Sequence, residues 1–241
     1  MSDAVTDPDL LEPNRRRFDG VAPRYDLLNR LLSAGRDVAW RRRAVRDLAL
    51  SGGARVLDLA TGTADVAMEV CRQHAEATVL GLDVSGEMLA LGRRKVARAH
   101  LADRIELRTG NAAELPLPEA SFDAVTCAFG IRNMPRRRQV FREARRVLRG
   151  GGRMVVLELT RPGRGVFLRA FAWYLTRLVP AIGAMLSRRG AYRYLADSIV
   201  GFPEPEVICS EMRRAGFGRA QAHRLTLGIA TLFVGTVEEQ P

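Results

Sequence analysis

Between Arg55 and Leu159 the chain alternates short apolar runs with helix-like text, and this restricts the folds open to it more than any other feature. The runs are Arg55–Ala60, Thr78–Asp83, Ile105–Thr109, Phe122–Phe129 and Met154–Leu159, with helices predicted over 64–74, 86–99 and Arg137–Leu148. A run without polar alternation suits a strand covered on both faces. Consecutive parallel strands need a crossover, usually a helix, and that crossover takes one hand. The segment therefore predicts an α/β fold built on a doubly wound parallel sheet.

The flanks read differently. Residues 1–14 are expected to be a disordered tail, and 15–50 are helical in character, with Leu27, Leu28, Leu31 and Leu32 at helical spacing. Beyond Pro162, Val166–Leu195 is apolar, aromatic and basic, broken near Pro180 and Gly190. A helix over Glu204–Ala215, capped by Gly216, precedes two closing strands, Ala220–Leu225 and Ile229–Val234, which turn at Gly228. The reading is one domain over 15–241, with a helical lid at about 163–200.

Composition narrows the classes. Of 241 residues, 47% are hydrophobic and 27% charged, which excludes a wholly disordered chain. The opening MSDAVTDPDLLEP is acidic and lacks the apolar centre of a secretory signal. Arg169, Arg177 and Pro180 interrupt the most lipid-like stretch, Val166–Ser187. Cys71, Cys127 and Cys209 are far apart, without metal-ligand spacing, so a reducing cytoplasm is the expected setting. The net charge of +11 favours an anionic partner, either a membrane surface or a nucleic acid. Lys95 is the sole lysine; the other 37 basic residues are arginine.

The strongest chemical signal is Val56-Leu-Asp-Leu-Ala-Thr-Gly-Thr-Ala-Asp65 followed by Asp83. A turn of small residues leaving a parallel strand lets a ligand approach the backbone, and the following helix offers N–H groups. An acid about 20 residues on can accept both hydroxyls of a ribose. Taken alone, Gly62 is an ordinary turn residue; Asp58, Gly62 and Asp83 together on consecutive strands point to a nucleoside site. The full glycine fingerprint of nicotinamide enzymes is absent.

These residues resemble the S-adenosylmethionine site of class I methyltransferases, whose Rossmann-like sheet has seven strands, the last antiparallel. The resemblance narrows with Phe18–Asn29, Ser33 and Trp40, Gly110–Pro116, Ser121–Asp123, Phe129–Asn133, Arg146–Arg153 with Glu158, Ala191–Leu195, Ser198, Ile199, and Phe202-Pro203. In that order they are similar to the ubiquinone/menaquinone biosynthesis C-methyltransferase family over about residues 18–236. The resemblance implies S-adenosylmethionine as cofactor, with Asp58, Gly62, Thr63, Asp83, Asn111 and Ala112 binding it. It implies methylation of a ring carbon of a reduced polyprenylated quinone precursor, demethylmenaquinol first and a ubiquinol precursor as the alternative. Arg132 and Asn133 are the implied catalytic pair, because they follow the fourth strand at the carboxyl edge of the sheet. Arg132 would favour a phenolate and Asn133 would orient the hydroxyl. The plainer alternatives are a turn residue for Asn111 and a carboxylate-paired loop arginine for Arg132.

The same resemblance implies peripheral contact with the inner face of an anionic membrane. It carries no expectation of nucleic-acid binding, although an RNA methyltransferase is the rival that the charge suggests. The apolar residues of the lid could alternatively form a homodimer seam or plain core. Three positions depart from the family pattern: Ala64 replaces a usual glycine, Ala128 a frequent serine, and Asp37 a frequent histidine. The arginines at 136, 137, 138, 142, 145, 146 and 149 meet only Glu143 within their own stretch. They read as a solvated helix face or a surface for lipid headgroups.

Overall fold

A computed structural model describes residues 8–22, 25–162 and 197–239. Three helices lead in: α1 (Pro8–Val21), α2 (Tyr25–Leu32) and α3 (Arg36–Asp47). Then come β1 (Arg55–Leu59), α4 (Asp65–Gln73), β2 (Thr78–Asp83), α5 (Gly86–Arg98), β3 (Ile105–Thr109), β4 (Phe122–Ala128), α6 (Arg137–Val147) and β5 (Leu148–Leu159). A helical turn at 197–200 precedes α7 (Pro205–Arg214), β6 (Arg219–Leu225) and β7 (Ala230–Thr236).

The seven strands form one sheet in the order β3-β2-β1-β4-β5-β7-β6. β1 pairs in parallel with both β2 and β4, and β7 runs antiparallel between β5 and β6. The doubly wound sheet with an antiparallel last strand is thus the one expected. The strand order reverses between β1 and β4, and open α/β sheets bind ligands beyond the carboxyl ends of such strands. Neighbouring residues of β1 serve opposite faces. Leu57 packs in a core with Phe122, Phe141 and Phe233, whereas Val56 packs with Val45, Val70 and Leu89 from α3, α4 and α5. Each buried aliphatic side chain contributes about 1.5–3 kcal/mol.

Several bounds differ from the sequence reading. α1 begins at Pro8, inside the stretch expected to be a tail, because proline is tolerated in a first helical turn. β5 starts at Leu148 rather than Met154, with Leu148 opposite Phe122 and a register shift before Ala124. Gly152 permits this: a Cβ there would lie 2.9 Å from the Arg149 carbonyl oxygen and 3.0 Å from that of Asp123. Of the expected lid at about 163–200, residues 163–196 lie outside the described residues. Among the described residues, no helix is long and apolar enough to cross a membrane.

The basic stretch around α6 is solvated at Arg136, Arg138, Arg142 and Arg149, yet most of its arginines also have acceptors within the chain. Arg137 donates to Glu211 at 2.7 and 3.0 Å, Arg136 to Glu114 at 2.6 Å, Arg146 to Glu143, and Arg149 to Asp123 at 2.6 Å. Arg142 donates to the uncharged Gln139 at 2.9 Å.

Gly81 on β2 marks a tight approach beneath the turn that follows β1. A Cβ there would lie 2.7 Å from Leu107 Cδ2 and 2.8 Å from Thr61 Oγ1. Gly81→Ala is expected to cost about 1–3 kcal/mol by overpacking, read as a lower urea midpoint with an unchanged slope.

Candidate active site

β1 and β4 both leave the sheet through a residue in the left-handed region, Ala60 (φ 52°) and Phe129 (φ 58°). Each turns the chain sharply away and opens a crevice between the strands. Gly62 (φ 55°) and Ala64 (φ 67°) continue the bend before α4. Glycine tolerates this conformation; for Ala64 it costs roughly 1–2 kcal/mol. The Ala64 methyl is fully buried and points to α5, where a Cβ added at Gly92 would lie 3.4 Å from it. It is absent from the crevice wall, so the departure from glycine is absorbed by packing rather than by the site.

The crevice is a cavity of about 320 Å3, within the range of small-molecule sites. Gly62, Asp83, Asn111, Ala112 and Asn133 line it, together with Phe18, Tyr25, Met88, Phe129, Met134 and Arg136. Asp58, Thr63 and Arg132 do not.

Asp83 joins two loops. Its Oδ2 accepts from the Gly62 N–H at 2.8 Å and its Oδ1 from the Ser85 N–H at 2.9 Å. Burial pushes its carboxyl above the usual range, against the pull of those N–H groups. Each carboxylate oxygen has capacity for a further donor, so the pair fits a vicinal diol. Asn111 Oδ1 accepts from the Ala113 N–H at 3.0 Å, so it closes the turn after β3 while its residue lines the cavity. The apolar walls from Leu82, Met88, Ala112 and Met134 suit an adenine ring. These features fit S-adenosylmethionine.

Thr63 points elsewhere. Its hydroxyl donates to Asp26 on α2 at 2.6 Å and accepts from Lys95 at 3.1 Å. Asp58 is buried behind the turn, accepting from Thr61 Oγ1 at 2.7 Å, with its Oδ1 lacking a hydrogen-bond partner among the described residues. Burial raises its pKa to about 7.

At the other end of the cavity, residues 131–133 form a turn of 3-10 helix that places Asn133 on the wall. Glu158, fully buried at the end of β5, accepts from the Arg132 backbone N–H at 3.2 Å and pairs with its guanidinium. The carboxylate partner named above as the plainer alternative for Arg132 is therefore present. Burial raises the Tyr25 phenol pKa, against the opposing pull of Asn29, Arg132 and Arg41. The Tyr25 ring stands edge-on to Phe18 at 6.3 Å. Phe129 lies 6.4 Å from Trp40 and has the Arg41 guanidinium 5.5 Å from its ring centre. Trp40 Nε1 donates to Thr226 Oγ1 at 2.9 Å, tying α3 to the turn before β7. Asp37, at the position of the frequent histidine, accepts from Ser33 at 2.9 Å and from Arg41 at 2.5 Å. Phe18 and Glu158 belong to the motifs that carry the resemblance but receive no site role from sequence.

The sheet order is that of the class I S-adenosylmethionine-dependent methyltransferase fold. Among solved structures, a SAM-dependent methyltransferase from Aquifex aeolicus superposes with a TM-score of 0.61 at 15% identity, covering 88% of this chain and 97% of that one. The cyclase SpnF superposes at 0.63 and 17% identity, over 94% and 96%, so the fold alone does not name a reaction. The ubiE/COQ5 methyltransferase family model matches residues 13–237, and the chain belongs to that family. The ubiquinone/menaquinone biosynthesis C-methyltransferase UbiE of Geobacter sulfurreducens is 48% identical over 92% of this chain and 87% of its own length. The demethylmenaquinone methyltransferase of Deinococcus radiodurans is 46% identical over 90% of each chain.

Two predictions follow from burial. Asp58 rises from 3.8 to about 7, so between those values the folded protein holds a proton that the unfolded chain releases. Stability therefore falls as pH rises through that window. Asp58→Asn keeps an acceptor for Thr61 and removes the ionisation. The melting midpoint of the wild type is expected to drop between about pH 4 and 7, and the variant to show a smaller drop, the remainder coming from the likewise raised Asp83. Arg132→Ala leaves the Glu158 carboxylate buried without its cation, and chemical denaturation at neutral pH should show a loss of about 3–5 kcal/mol.

Proposed function

We propose that the chain transfers the methyl group of S-adenosylmethionine to a ring carbon of demethylmenaquinol: the S–CH3 bond breaks, the ring carbon's hydrogen leaves as a proton to water, and menaquinol and S-adenosylhomocysteine are the products. One observation carries the reading: the residues suited to a nucleoside, Asp83 and Asn111, share one cavity with Tyr25, Phe129 and Asn133, which suit an aromatic diol. The cofactor supplies an electrophilic methyl on a sulfonium. Phe18, Tyr25 and Phe129 exclude water and present aromatic faces to the quinol ring. Asn133 orients the hydroxyl beside the reacting carbon through its amide, which donates and accepts. Ionising that hydroxyl at neutral pH costs about 4 kcal/mol for a phenol. The guanidinium of Arg132 behind Asn133 offsets part of this cost, within the limit set by its pairing with Glu158.

The prenyl chain of such a substrate resides in a bilayer, so the same reading includes peripheral contact with anionic lipid. Exposed arginines such as Arg142 are candidates to make it. The test supplies the purified chain with methyl-labelled S-adenosylmethionine and reduced demethylmenaquinone in vesicles, with a demethylated ubiquinol precursor and bulk RNA as competitors. Label is expected in menaquinol, at a higher rate from anionic than from neutral vesicles. Preferential labelling of RNA or of the ubiquinol precursor would overturn the substrate assignment.

A further inference from the structure

The chain uses arginine for 37 of its 38 basic side chains, and the one lysine, Lys95, sits where three acceptors converge. Its Nζ meets Asp26 Oδ2 at 2.8 Å, Thr63 Oγ1 at 3.1 Å and Asp65 Oδ1. A compact ammonium has three donors that radiate from one atom, whereas a guanidinium presents a planar fork. Three acceptors from three different elements, α2, the turn after β1 and the first residue of α4, match the ammonium. The ring is closed on the far side, because Thr63 Oγ1 itself donates to Asp26 Oδ1 at 2.6 Å.

This junction lies at the edge of the roof of the cavity. Asp26 follows Tyr25, which lines the cavity beside Phe18 of α1. α1 is tied down independently, since Ser85 Oγ donates to Asp19 Oδ1 at 2.5 Å. Both ties end on loops that form the nucleoside end of the crevice, the turn at Gly62-Thr63 and the entry to α5. Asp26 is 43% exposed and Lys95 26%, so the tie at Asp26 is wet and able to open.

We propose that Lys95 is a positioning residue that latches the α1–α2 cap onto the turn holding the methyl donor, and that donor entry and product release require Asp26 to leave it. The inference rests on S-adenosylmethionine occupying this crevice and is independent of which quinol is methylated. The sole lysine makes the latch directly readable. An amine engaged with two carboxylates must be freed before it can attack an acylating reagent, so acylation at Lys95 reports opening.

The experiment treats the wild type with an N-hydroxysuccinimide acetate pulse, with and without S-adenosylhomocysteine, and quantifies Lys95 acetylation by mass spectrometry. In parallel, the dissociation rate of S-adenosylhomocysteine is measured for the wild type, Lys95→Met and Asp26→Asn. Saturating S-adenosylhomocysteine is expected to slow acetylation of Lys95 at least severalfold. Both variants should release the product faster, Lys95→Met by about tenfold, with KM for the donor rising by more than kcat changes. Should Lys95→Met fold poorly, Asp26→Asn at its half-exposed position still decides the matter. Acetylation that ignores S-adenosylhomocysteine would overturn the proposal. So would a lowered melting temperature with unchanged dissociation in the variants, which is what a merely structural ion pair predicts. Neither readout involves a quinol, so failure here is distinguishable from failure of the substrate assignment.

Discussion

The carboxylate of Asp83 is the interaction on which the crevice depends. By accepting one N–H from the turn after β1 and another from the entry to α5, it fixes the two loops that flank the gap between β1 and β2. A buried acid is costly, and two backbone donors satisfy only part of its capacity. The remaining capacity of its two oxygens is what a ribose diol can use. Ser85 extends the arrangement outward: its hydroxyl caps α5 by accepting from the Met88 N–H and donates to Asp19 of the roof.

Charge in this protein works mainly as internal cross-linking. The formal surplus of +11 invites a search for an external polyanion, yet many arginines have a designated acceptor elsewhere in the chain. Arg104 donates to three carbonyls around the end of α4, Arg137 reaches Glu211 on α7, and Arg146 clasps Leu115 and Leu117 as well as Glu143. Glu158 shows the same economy at the turn after β4, where one buried carboxylate holds both the backbone and the guanidinium of Arg132 and so sets the turn that presents Asn133.

The sheet was legible because its signal is local. Apolar runs and their intervening helices fell within a residue or two of β1, β2, β3 and β4, and the strand-to-acid spacing from Gly62 to Asp83 corresponds to a hydrogen bond between them. The start of β5 was not, because Gly150-Gly-Gly152 reads as a loop until β4 is beside it. Partners across long separations were equally hidden. Nothing near Thr63 announces that Asp26 will take its hydroxyl, and nothing near Arg132 announces Glu158. Gly62, Asp83, Asn111, Ala112 and Asn133 reach the cavity wall, whereas Asp58, Thr63 and Arg132 stand behind it. Motif spacing identifies the neighbourhood of a ligand, while the rotamer that faces it is decided by tertiary contacts.

The position of β7 has a consequence for folding. This last strand inserts between β5 and β6, and the turn before it carries Thr226, the partner of Trp40, which in turn backs Phe129 at the cavity wall. In chain order β7 and Thr226 follow the turns after β1 and β2 by more than a hundred positions. The β7 partner of β5 and the Thr226 tie behind Trp40 and Phe129 therefore form only by contacts between distant parts of the chain, the slow kind to close.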